Sequence, residues 1–234
     1  MSDSTTKAAE EAAIQGISVE QSRAAIEEAL AESKQHLAEL PATADAVDRA
    51  RIQLDIAEAL LGLERKQEAA REARQAFDAL ANRECWQEAV EACELLYEAG
   101  QEESIVALGH GIWLAVTYPI KAQTTVAMLS HVIDETPPES DGAAVAAVAA
   151  QYIAELRGGD EKDSLKFLTS QLIAQVAKRH RGIEGQEMLD TWIEMLELND
   201  VGKLLGRLGQ IVDAIVADQW WIDRDALRAR LPVN

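Results

Sequence analysis

Apolar residues along this chain return at spacings of three, four and seven, and nowhere does a period of two persist. Val19, Ile26, Leu30 and Leu37 mark one face of a first helix, which "SVEQ" (Ser18–Gln21) opens as a capping box and Pro41 stops. Ile52, Ile56, Leu60 and Leu63 mark a second. Ala69, Ala73, Ala76, Phe77 and Leu80 mark a third. Trp86, Val90, Cys93, Leu96 and Tyr97 form the stripe of a fourth, ended by Gly100, and Ile105, Leu108, Ile112 and Val116 that of a fifth, stopping before Pro119. Val126, Leu129 and Ile133 lie on a sixth helix, and "ETPPESDG" breaks the chain. Val145, Val148, Tyr152 and Leu156 follow on a seventh, Leu165, Leu168, Leu172 and Val176 on an eighth, and Leu189, Trp192 and Leu196 on a ninth. A tenth carries Val201, Leu204, Leu208, Ile211, Ile215 and Val216, and Asp223–Leu231 makes a short eleventh.

The pattern predicts an all-α chain of about eleven helices, with "GIWLAVTYPI" read as helix running into an extended segment before proline. Pair starts near residues 83, 121, 161 and 199 are 38, 40 and 38 apart, the period of a recurring helical hairpin. Such a hairpin buries its apolar stripe only against its neighbours, so an α-solenoid is expected. Residues 1–17 lack an apolar stripe and are expected to be disordered. Residues 18–234 are expected to form one helical domain, with 199–231 as its capping pair.

Composition narrows the partners. The net charge of −19, from 41 acids against 22 bases, argues against nucleic acid and against anionic membranes. The excess is uneven: residues 1–100 carry 21 acids and 10 bases, residues 161–234 carry 12 and 10, so the C-terminal third is close to neutral. The opening residues have neither a basic nor an apolar region of a secretory signal, and no apolar run spans a membrane; a cytoplasmic location is expected. Cys85 and Cys93 are eight apart, about 12 Å on one helix at ~1.5 Å per residue, which fits neither a zinc motif nor a disulfide.

Over Ile52–Leu80, "IQLDIAEALLGLERKQEAAREARQAFDAL" resembles a tetratricopeptide (TPR) repeat. Ala57, Ala69 and Ala76 stand where that family puts small residues at its helix contacts, and Leu60 where it often has tyrosine. "CWQEAVEACELLYEAGQEES" resembles the next unit through Trp86, Cys93, Leu96 and Gly100, so the likeness runs over residues 52–117. Ile105 and Ile112 depart from the pattern, as does the period. The resemblance implies a hairpin array that binds a protein or peptide, as a scaffold, assembly factor or chaperone, without catalysis.

Candidate chemistry is sparse. Glu32/His36 and His131/Glu135 are i, i+4 pairs able to share a metal, but the Glu-x-x-His units of a di-iron bundle are missing. No metal, cofactor or catalytic residue is assigned. "LGHGIW" sets His110 between two glycines: either it lines a ligand pocket with Trp113, as in a helical sensor, or Gly109 admits a neighbouring helix. Gly202, Gly206 and Gly209 are expected to form a groove for a packed helix of this chain or of a second copy, which keeps a homodimer through the C-terminal helices open. Two basic sets are the partner-binding candidates: Lys178, Arg179 and Arg181 in "KRHRG", and Trp221, Arg224 and Arg228 in the tail. Adjacent helical residues point about 100° apart. Trp220 is therefore expected inside, in line with Val216, and Trp221 half exposed or against another subunit.

Overall fold

A computed structural model describes residues 19–231 of the chain, the side chain of Val19 excepted. The expected disordered leader 1–17 and the cap at Ser18 lie outside these residues. The helices are α1 (Val19–Glu39), α2 (Ala46–Gly62), α3 (Lys66–Asn82), α4 (Trp86–Ala99), α5 (Ser104–Thr117), α6 (Ala122–Glu135), α7 (Gly142–Arg157), α8 (Lys162–Arg181), α9 (Gln186–Met195), α10 (Val201–Val216) and α11 (Arg224–Arg228). A single 3-10 turn, Gly159–Glu161, joins α7 to α8, and no strand occurs among the described residues. No helix among them is long and apolar enough to cross a membrane.

Each helix from α1 to α7 packs on the one that follows it. In addition α2 touches α4, α4 touches α6 and α6 touches α8, so these four share one side of the molecule. The turns are tight. Glu64 and Glu84 adopt left-handed backbone (φ 60° and 58°) just past α2 and α3, and the following amides, of Arg65 and Cys85, donate back to the carbonyls of Leu60 and Leu80 at 2.8 and 3.0 Å. Glycine normally fills that position, so these stops carried no sequence mark. Gly100 supplies the left-handed cap after α4, and Tyr118 (φ −108°, ψ 162°) is the extended residue before Pro119.

Alanine lets the layers approach. Ala57, Ala69 and Ala76 have no exposed surface: Ala57 packs with Ala73, Leu96 and Ala107, and Ala69 packs among Ile52, Ile56 and Leu60. Along α7, Ala143, Ala146, Ala147, Ala150 and Ala154 are equally buried, because α6, α8 and α10 all lie against that helix. Three arginines satisfy helix-end carbonyls that have no partner within their own helix. Arg157 of α7 donates to the carbonyls of Ala115, Val116 and Tyr118 at 2.8–2.9 Å, Arg179 of α8 to that of Ile133 at 3.1 Å, and Arg207 of α10 to that of Leu196 at 2.6 Å.

The regular pairing stops after α8. Helix α9 buries only Trp192, whose ring lies 5.8 Å from that of His180. Helix α10 returns across α5 and α7 and buries Leu204, Leu208, Val212 and Val216 there. As a groove for a helix of this chain, the expected glycine set is corrected at this point. A Cβ on Gly206 or Gly209 would meet nothing within 4 Å, and one on Gly202 only the side chain of its neighbour Asp200. The packed glycines are on α5 instead. A Cβ on Gly109 would fall 2.3 Å from a methyl of Val216, and one on Gly111 would fall 2.3 Å from the Met128 methyl and 2.9 Å from Cys93.

Candidate functional site

The acids of α2 and α4 are spaced three, four and seven apart, which sets them on the faces that these two helices turn to the open side. Between them runs a groove of about 580 Å³. Asp55 and Glu58 line it from α2, Glu88, Glu91, Glu94 and Glu98 from α4, and Leu54 and Leu95 make its apolar floor. Its one cation, Arg51, is committed: it donates to Glu88 at 2.9 Å and lies 3.6 Å from Asp48. Burial pushes the Glu88 carboxyl up, but the Arg51 hydrogen bond and charge outweigh that and hold it below the usual carboxylate range. Gln87 donates to Glu91 at 2.8 Å and to Thr124 of α6, and accepts the amide of Lys121, which ties α4 to the start of α6.

Beyond Glu94 the groove meets α6 at His131. The His131 Nε2 is 3.8 Å from Glu94, and Glu94, Glu98 and His131 bring three ligand atoms within 4.8 Å of one another. Glu135, the expected i, i+4 partner of His131, is used differently, accepting the Tyr97 hydroxyl at 2.8 Å. Burial and then that carboxylate hold the Tyr97 phenol well above its ordinary pKa. Glu32 and His36 are both exposed on α1.

The opposite side of the molecule carries the tail. His110 is fully buried, and both its ring nitrogens are engaged: Nδ1 lies 2.8 Å from the Val106 carbonyl, and Nε2 accepts the Trp221 amide at 2.8 Å. These bonds define the neutral tautomer protonated at Nδ1. Burial pushes its pKa down to about 4; the Val106 bond opposes this, and the charges of Arg74 and Arg224 add to it. The Trp221 ring stacks on His110 (4.3 Å, 17°), meets Phe77 edge-on at 5.2 Å, and carries the Arg74 guanidinium at 4.1 Å. Trp220 lies 4.9 Å from His110 and 6.1 Å from Trp113, under Arg224 at 4.0 Å.

Both indoles are therefore half-buried within the chain; Trp220, expected inside, is no more buried than Trp221, expected half exposed or against another subunit, and it is Trp221 that stacks on the buried histidine. The tail is irregular at this point rather than helical, so neighbouring side chains need not diverge by 100°. It straps α3 and α5 in the middle of the fold. Arg224 pairs with Asp213, and Arg230 with Glu84. Arg228 remains exposed, 5.9 Å from the Trp113 ring. A cleft of about 150 Å³ lies beside Trp113, walled by Ile112, Val116, Leu208, Val212 and Arg228; His110 does not line it. In the other basic set, Lys178 pairs with Glu184 at 2.8 Å, Arg179 caps α6, and Arg181 is exposed. The sequence reading missed the acidic groove, whose only local signal is the repeated acid spacing on α2 and α4.

No protein-family model matches the chain, and no curated protein or solved structure is detectably similar to it.

Proposed function

We propose that the chain is a non-catalytic protein-binding module, a TPR-like α-solenoid serving as scaffold, assembly factor or chaperone, and that it receives a basic segment of its partner in the groove between α2 and α4. The contacts of α2 with α4, α4 with α6 and α6 with α8 support the repeat reading, since alternate helices of a hairpin array share one binding side. The observation that carries the partner's chemistry is the groove itself, with six carboxylates and a single, already paired guanidinium over two leucines. A segment with lysines or arginines around one apolar side chain complements it in charge and in shape. The cleft beside Trp113 supports the alternative reading, a ligand-binding sensor, less well: about 150 Å³ is below the ~300–1,000 Å³ of ordinary small-molecule sites. A homodimer through the C-terminal helices has less surface to rest on, because α10 turns its apolar stripe to α5 and α7.

The test is fluorescence anisotropy in the presence of a chelator, with a labelled peptide of alternating lysine and leucine and its glutamate counterpart. The lysine peptide should bind and the glutamate peptide should not. Glu58→Lys with Glu91→Lys should weaken binding at least about tenfold while leaving the melting temperature nearly unchanged. Equal binding by the charge-reversed variant would sink the proposal.

A further inference from the structure

At the end of the groove, where α4 meets α6, two carboxylates and a ring nitrogen converge. Glu94 and Glu98 are one turn apart on α4, and His131 faces them from α6. His131 is set in place: its ring lies against Tyr97 at 4.5 Å, and Tyr97 is itself held by Glu135. Its Nε2 is shielded from solvent and has no hydrogen-bond partner, since the nearest oxygen of Glu94, at 3.8 Å, is beyond bonding range. A shielded ring nitrogen without a partner costs free energy that some ligand should offset.

We propose that Glu94, Glu98 and His131 bind one divalent first-row transition ion, zinc by the chemistry of the donors. Carboxylates alone would suit calcium or magnesium equally, whereas an imidazole nitrogen beside them selects zinc and its neighbours in the row. Zinc holds nitrogen and oxygen donors at about 2.0–2.2 Å, which spaces tetrahedral donors roughly 3.4 Å apart. The 3.8 Å between Nε2 and the Glu94 oxygen is close to that edge, and all three donors lie within 4.8 Å, so small carboxylate rotations complete the triangle. A fourth position then faces the groove and is open to water or to a donor from a bound partner. Glu91, one turn before Glu94, and Glu88 add to the negative field along the approach. The site stands on α4 and α6 alone and does not require the peptide-binding reading.

The experiment uses the full chain, stripped with a chelator and without any peptide. Zinc ion is titrated against a chromogenic competitor chelator, with calcium and magnesium in parallel. One zinc per chain is expected, with neither calcium nor magnesium displacing it at a hundredfold excess. H131Q and E94Q should each weaken it at least about tenfold, and H36Q should not. Cobalt ion in place of zinc should give a visible absorption band that H131Q abolishes. E98Q, at an exposed position, is a second variant whose fold is checked by its circular dichroism and melting temperature, and its zinc affinity should also drop. Zinc binding unchanged in both H131Q and E98Q overturns the proposal, as does displacement by equimolar calcium, which would mark an ordinary acidic surface.

Discussion

Two residues show how a single position governs stability here. His110 is neutral in the fold with its pKa near 4, against about 6.5 in the unfolded chain. Between those values the unfolded state binds the extra proton, so the contribution is complete above about pH 6.5, shrinks as the pH falls, and is gone below about pH 4. The loss is about 1.4 kcal/mol per pH unit within that window. Urea titrations at pH 6.5, 5.5 and 4.5 should show that slope in the natural chain and its absence in His110→Gln; parallel slopes would mean that the histidine protonates freely in the fold. Ala217 is the second case. Its backbone (φ 51°, ψ −116°), with the Gln219 amide on the Val216 carbonyl at 3.0 Å, makes it the first central residue of a type II′ turn, a place for glycine. An L side chain there costs on the order of 1–3 kcal/mol. Ala217→Gly should therefore raise the melting temperature by a few degrees, read by calorimetry. A lower temperature would show that the turn is not strained.

At the level of helices, what was legible in the sequence was local. Stripes such as Ile52/Ile56/Leu60 and stops such as Gly100 and Pro119 report their own helix, and each lies where its periodicity placed it. What stayed hidden depends on a distant segment. The stop after α2 at Glu64 has no glycine to announce it. In α8 the buried face is Leu165, Thr169 and Ile173, while Leu168, read as part of the stripe, is exposed, because Thr169 sends its hydroxyl to the Leu165 carbonyl and so hides its polar atom. Glycine is the sharpest case, since a helical glycine reads the same whether it admits a neighbour or faces water. The two can be separated. Gly109→Ala would drive a methyl to 2.3 Å from Val216 and 2.9 Å from Ile215, both branched at Cβ and unable to swing away, so α10 must shift off α5. Gly206→Ala meets nothing within 4 Å and removes a helix-interior glycine. The first should destabilise by roughly 1–3 kcal/mol and the second stabilise by about 1 kcal/mol. Opposite signs in paired melting curves are the expected result, and a destabilising Gly206→Ala would restore the packing groove to α10.

For the whole molecule the controlling quantity is charge, and it was legible only as a sum. The acids of α2 and α4 carry the period of a solvated helix face, and nothing local says that α2 and α4, separated by the whole of α3, lie side by side and turn those faces into one groove. His131 joins Glu94 and Glu98 through the same long-range pairing. Concentrating carboxylates in one place has two consequences of opposite sign. A chain with net charge −19 repels itself in the folded state, so screening should stabilise it. The groove attracts a cationic segment through that same field, so screening should weaken binding, with the Debye length falling from about 10 Å at 0.1 M salt to about 3 Å at 1 M. Raising sodium chloride from 50 to 500 mM should therefore raise the melting temperature while lowering the affinity for the lysine peptide at least about tenfold, and the two curves should cross in trend over the same samples. Glu58→Lys with Glu91→Lys reduces the net negative charge by four and disrupts the groove, so it should flatten both dependences together. Peptide affinity that holds constant across that salt range would place the contact outside the acidic groove, with the apolar floor of Leu54 and Leu95 or another surface carrying it instead.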